Sequence, residues 1–360
     1  MFTFQVMGGK SIRAIIETSR PEIFARVRET YLAHHRGATI NPNSYFLRFP
    51  EKPDARIIAL PAALRADGDA DGGPAGDANG GPGDGTARTG TARTGVAGIK
   101  WIGSFPGNVA HNVPRASAVL LLNDLETGYP FACLEAAQIS AARTAASAVL
   151  GAEQLHGSRT AGRLAVVGAG VISRNILEFF HALGWSFDRV AVHDRVEEYA
   201  RKSAGHAGAL GYRTSVHTTL AGAVDGADVV VLATTAATPY IVEPGALAPG
   251  QTVLNISLRD IGPELIAASH NVVDDVGHCL NAGTSPHLAV EKFGHRDFID
   301  GTIAQLVLGE LPLGPDKPRI FSPFGLGVLD LAVGHEVLRI GREDGRVQDV
   351  PDFFAEVERW

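Results

Sequence analysis

The stretch Arg163-Leu-Ala-Val-Val-Gly-Ala-Gly-Val-Ile-Ser173 limits the possible fold more than any other part of the chain. Leu164 to Val167, running into Gly168, predicts a short buried strand. Gly168 and Gly170 predict a tight turn. Ile172, Ile176, Phe179, Phe180 and Leu183 then recur at the spacing of one helix face. Strand, glycine turn and helix in that order form the context of a dinucleotide-binding unit, with a pyrophosphate against the helix N-terminus. The third fingerprint position holds Ser173, small enough for the helix to lie near the strand.

Two more apolar runs support a parallel sheet. Arg189-Val-Ala-Val-His-Asp194 ends in an acid at the distance where a ribose would be held. Asp228-Val-Val-Val-Leu-Ala-Thr234 is apolar through its middle, as a strand covered on both faces should be. Asp194 suits NAD and disfavours the additional phosphate of NADP, although Arg195 beside it leaves dual use open; the βαβ context favours this cofactor reading over a solvated strand end. Cofactors and substrates sit at the carboxyl ends of such strands. The turn and first helical residues, Gly168, Gly170, Val171 and Ile172, are therefore cofactor candidates, with Thr234 and Thr235 at the end of another strand. The run Gln251-Thr-Val-Leu-Asn-Ile-Ser257 brings Ser257 to the same edge, and Asp260 follows it as a candidate acid/base.

At 360 residues the length suggests two domains. A formal charge of -7 gives no reason to expect nucleic acid or an anionic membrane as partner. Two cysteines, Cys133 and Cys279, exclude a disulfide scaffold. No basic and then apolar leader pattern opens the chain, and no run approaches a membrane span, so a cytoplasmic protein is expected. His278, Cys279 and His287 match no standard zinc spacing, and no metal is expected.

Elsewhere the pattern predicts a helix over 21–35, strands at 45–49, 56–60, 97–102, 118–123 and 271–274, and an alanine-rich helix over 131–150. Residues 66–95, rich in Gly, Asp, Ala and Pro and ending in a tandem Thr-Ala-Arg-Thr-Gly, are expected to be a disordered insertion. Residues 320–332 are expected to return to the first domain. Three cations stand out among apolar neighbours. Arg48 reads as a solvated strand face or an anion contact. Lys100 reads as the lysine of a protected edge strand. Arg143 sits in a helix surface meant for burial, so it needs a partner, a carboxylate or phosphate of a ligand or else a structural ion pair.

The pieces Gly98-Ile-Lys100, Phe105-Pro-Gly-Asn108, Asn123 to Gly128, Ala142-Arg-Thr-Ala-Ala146, Val167-Gly-Ala-Gly170 and Asn255-Ile-Ser-Leu-Arg-Asp260 together resemble the ornithine cyclodeaminase/μ-crystallin family. The resemblance implies an α/β fold. A Rossmann-type parallel-sheet NAD domain (145–320) would join a smaller α+β substrate and dimerisation domain built from both chain ends (1–144 with 321–360). It implies an enzyme whose Lys100 and Arg143, with Arg48, bind a substrate carboxylate. Thr144 would contact the cofactor, Asp260 would be the acid/base and Lys100 would share in catalysis. It further implies a homodimer acting on a small amino acid. Asp260 is followed by Ile-Gly-Pro-Glu-Leu, where cyclodeaminases carry a Cys-Pro-Gly-Lys-type run. That departure, and the stretches 100–106, 126–135 and 321–334, favour the branch that oxidatively releases 2,3-diaminopropionate for siderophores and peptide antibiotics. Ornithine cyclodeamination, ketimine or keto-acid reduction, and nucleotide binding without catalysis are the alternatives.

Overall fold

The computed structural model describes residues 3–65 and 95–356. All but the last residue of the expected insertion lies outside them. The described residues form two eight-stranded sheets with helices between and around them. One sheet is parallel throughout, in the spatial order Thr214–Val216, Ser186–His193, Thr160–Val167, Val229–Leu232, Thr252–Asn255, Arg319–Ser322, His270–Val273 and Ile299–Thr302. Strand order reverses between Thr160–Val167 and Val229–Leu232, which opens a crevice at their carboxyl ends.

The second sheet is mixed and takes strands from both chain ends. Its order is Gln348–Val350, Phe4–Met7, Pro130–Glu135, Ala116–Asp124, Val96–Ser104, Lys52–Leu64 and Thr39–Ile40, with Tyr45–Phe49 also paired to Lys52–Leu64. Its inner face carries Leu60, Leu120, Leu122 and Leu134 into the core. The helices Arg20–His35, Ala137–His156 and Gly327–Glu343 pack between the sheets. Placing 145 and 320 as boundaries cuts through one of these helices and through the strand Arg319–Ser322.

Three local expectations change. The alanine-rich helix starts at Ala137, not at residue 131, because Pro130–Glu135 is a strand of the mixed sheet. Glu135 sets the start: its carboxylate accepts the N–H of Ala137 at 2.7 Å and of Gln138 at 3.2 Å. Residues 320–332 divide, the first part completing the parallel sheet and the rest opening the helix Gly327–Glu343. Lys100 is not on an edge: Val96–Ser104 lies between two partners, and Lys100 is 1% exposed. A helix at Gly9–Thr18 went unpredicted; it buries Ile12, Ile15 and Ile16.

Candidate active site between the two sheets

Gly168 closes the strand Thr160–Val167 with φ of +92°, and a Cβ there would lie 2.5 Å from the Ala233 carbonyl oxygen. Only glycine combines that dihedral with that approach. The helix Val171–Ala182 starts at once, and no side chain caps its first turn. A Cβ built on Gly170 meets nothing within 4 Å. The helix N-terminus thus faces open space with uncapped N–H groups, as a dinucleotide pyrophosphate requires. Ser173 earns its place in the fingerprint by donating its hydroxyl to the Gly168 carbonyl. Asp194 accepts the Ala169 N–H at 2.8 Å and the Val196 N–H at 2.8 Å, so its carboxylate is fixed over the turn. Val171 and Ile172 begin the helix at this opening, and Val171 is exposed.

Across the crevice, Asp260 is fully buried. Its Oδ1 accepts the Thr234 hydroxyl at 2.9 Å, and Ser257 donates to Oδ2. The Tyr240 hydroxyl also reaches it. Burial raises the carboxyl's proton affinity, and the three hydroxyls and Arg259 oppose that rise. The turn delivering Asp260 is strained, with Leu258 at φ of +77°. Thr235 follows Thr234 at the same strand end. Thr144 lies on the helix Ala137–His156, where its hydroxyl donates to the Ser140 carbonyl at 2.7 Å.

Lys100 and Arg143 converge on a group that sequence reading passed over. Lys100 Nζ lies 2.6 Å from Oδ2 of Asp330 and 3.1 Å from the Ser140 hydroxyl; Arg143 Nε lies 3.2 Å from Asp330 Oδ1. Asp330 has no exposure. Burial pushes the Lys100 ammonium down to about 8, and Asp330 limits the fall. Two cations share one carboxylate at ion-pair distance, a setting in which a substrate carboxylate can be taken as a second counter-charge.

A chain of contacts ties this cluster to the parallel sheet. Arg143 lies against Gly325, whose φ is +95° and where a Cβ would be 2.5 Å from Nη1. The Gly325 and Phe324 N–H groups donate to Asp274 at 2.6 and 2.9 Å, and Asp274 ends the strand His270–Val273. Asp260 and Asp274 thus both follow carboxyl ends of that sheet.

Arg48 stands apart from Lys100 and Arg143. It is exposed in Tyr45–Phe49, its guanidinium 5.2 Å from the Phe46 ring. Among the described residues no group of three or more His, Cys, Asp or Glu is placed to hold a metal, and no helix is long and apolar enough to cross a membrane.

A family model described as the ornithine cyclodeaminase/mu-crystallin family matches residues 87–293. The N-((2S)-2-amino-2-carboxyethyl)-L-glutamate dehydrogenase of Staphylococcus aureus is 32% identical over 244 residues, covering 66% of this chain and 72% of its own. The alanine dehydrogenase of Archaeoglobus fulgidus is 30% identical over 259 residues, covering 67% and 76%. Among solved structures, an archaeal alanine dehydrogenase dimer with bound NAD superposes with a TM-score of 0.82 at 22% identity, covering 98% of this chain and all of that one.

Proposed function

Because this chain belongs to the ornithine cyclodeaminase/mu-crystallin family, we propose that it is an NAD-dependent amino-acid dehydrogenase that cleaves N-(2-amino-2-carboxyethyl)-L-glutamate and water to 2-oxoglutarate and 2,3-diaminopropionate. The observation that carries the reading is the buried pair of cations on one aspartate, Lys100 and Arg143 on Asp330, in the same fold as the glycine turn and the buried Asp260. The sequence relative named for this substrate supports the choice within the family. NAD, when bound, supplies the hydride acceptor. Gly168, Gly170, Val171 and Ile172 would hold its pyrophosphate; Asp194 would hold its ribose; Thr144, Thr234, Thr235 and Ser257 would line the rest of its site.

Lys100 and Arg143 would bind the carboxylate beside the carbon that is oxidised, and so fix that carbon's position. Asp260 would take the proton from the water that adds there and return one to the departing amine. Thr234, Ser257 and Tyr240 hold its carboxylate in one orientation. The test is NADH formation with this substrate, set beside ornithine and alanine. The proposal expects kcat/KM for the tricarboxylate to exceed both by roughly a hundredfold or more, about 2.7 kcal/mol. Ornithine consumed without net NADH would favour cyclodeamination instead.

Carboxylate binding needs Lys100 protonated. KM should therefore be flat below pH 8 and rise as the pH passes about 8, where the free enzyme's ammonium is lost. A KM independent of pH between 7 and 9.5 would separate Lys100 from substrate binding.

The proposal includes a homodimer. The outer face of the mixed sheet exposes Tyr45, Leu47, Trp101 and Val119. Tyr45, Ala59, Trp101 and Val119 lie in one row across four strands. A contiguous apolar face of that kind fits an interface with a second copy. Trp101→Glu should convert a dimer into monomers in sedimentation, with little loss of secondary structure. A dimer unchanged by that substitution would place the interface elsewhere.

A further inference from the structure

Four arginines gather where the mixed sheet meets the turn that carries Asp260. Arg48 is directly opposite Arg56 in the hairpin, and Arg56 is directly opposite Ser104. Arg115 adjoins that end, its carbonyl accepting the Phe105 N–H at 2.8 Å. Arg259 comes from the other sheet, held by a 2.9 Å bond from Nη2 to the Ala282 carbonyl. Among the described residues none of the four has a carboxylate within ion-pair distance. Arg56 Nε is buried without a hydrogen-bond partner among the described residues. Burial, followed by the charges of Arg115, Arg259 and Arg48, lowers the proton affinity of the Arg56 guanidinium. Gathering like charges with no carboxylate at ion-pair distance costs stability, and a partly buried guanidinium fork is built to take a carboxylate.

The cluster also has a fixed relation to the Lys100 site. Leu60 pairs with Lys100 as Arg56 pairs with Ser104, so Arg56 and Lys100 share the inner face, four positions apart. That is about 13 Å along the strand. Arg259 immediately precedes Asp260 in the chain. Arg56 is thus displaced from Lys100 along the strand while Arg259 adjoins the proposed acid/base, an arrangement that spans the length of an extended substrate.

We propose that Arg56, with Arg48, Arg115 and Arg259, forms a second anion subsite that binds a remote carboxylate of the substrate and selects di- and tricarboxylic amino acids over monocarboxylic ones. The inference rests on the reaction proposed above for the location of the reacting carbon.

The experiment compares two keto acids that differ in the remote carboxylate alone. Protein loaded with NADH is titrated calorimetrically with 2-oxoglutarate and with 2-oxobutyrate. The wild type should bind 2-oxoglutarate at least roughly tenfold more tightly, the worth of one charge-assisted contact. In Arg56→Gln and in Arg115→Gln that preference should fall severalfold, with a melting temperature no lower than wild type because a crowded cation has been removed. Equal affinities in the wild type, or an undiminished preference in both variants, would overturn the subsite. A retained preference in a protein that forms no NADH from the proposed substrate would instead leave the subsite standing and remove the reaction.

Discussion

Asp260→Asn should bind NAD near normally and turn over at least roughly a hundredfold more slowly. The amide keeps the shape of the carboxylate and one oxygen for the Thr234 hydroxyl, so the turn should survive the change. What is lost is the capacity to take a proton from water. Burial raises the affinity of this carboxyl for its proton. The wild type should therefore lose kcat/KM on the acid side at a pH above the ordinary carboxylate range, and the variant should lose that limb. Thermal melting with and without NAD separates the outcomes. Slow turnover with an intact NAD-dependent shift supports the role. Near-normal turnover removes Asp260 from the mechanism.

Asp330→Asn should produce the largest loss of stability. It deletes the one carboxylate that Lys100 and Arg143 share, at a site with no exposure. Removing one partner of a buried ion pair typically costs about 3–5 kcal/mol, because the remaining charge stays desolvated. The cost has a pH signature. Without Asp330 the Lys100 ammonium should titrate below its present value of about 8, while in the unfolded chain it titrates near 10.5. Between those limits the unfolded state binds the extra proton, so the variant's stability should rise with pH across the window. Substrate KM should rise, as a larger share of Lys100 is neutral at a given pH and a neutral lysine does not attract a carboxylate. Denaturant unfolding at pH 7 and pH 10 checks both parts. A variant as stable as the wild type would mean that the pair contributes little beyond its own desolvation.

What could be read from the chain beforehand was local in sequence. The glycine turn, the helix after it and the strand ending at Thr234 are written in contiguous residues whose periodicity reports burial directly. Asp260 was legible for the same reason, as the acid just past a strand end. Asp330 was not. It lies between Leu329 and Leu331 in an apolar run, and its partners are 230 and 187 positions away. No local pattern encodes such a contact. Its one trace was Arg143, a cation in an alanine-rich surface that required an acid from elsewhere. That Lys100 is not on an edge is not legible locally, because pairing on both sides of Val96–Ser104 depends on strands far along the chain. Alanine content does not mark the start of the alanine-rich helix; Glu135, whose carboxylate holds the first N–H groups, does. Arg56 and Arg115 each look like ordinary surface arginines in sequence. Their common position, with Arg48 and Arg259, follows from strand register.

Oxidation of a carbon–nitrogen bond with release of two products can be followed by a closed mass balance. Purified protein, excess NAD and a limiting amount of N-(2-amino-2-carboxyethyl)-L-glutamate would be taken to completion. NADH would be read by absorbance and the amino and keto acids by mass spectrometry. NADH, 2-oxoglutarate and 2,3-diaminopropionate should form in equal amounts, with the substrate consumed. Substrate left intact while NAD still raises the melting temperature would contradict the assigned reaction and leave the fold and its nucleotide site in place.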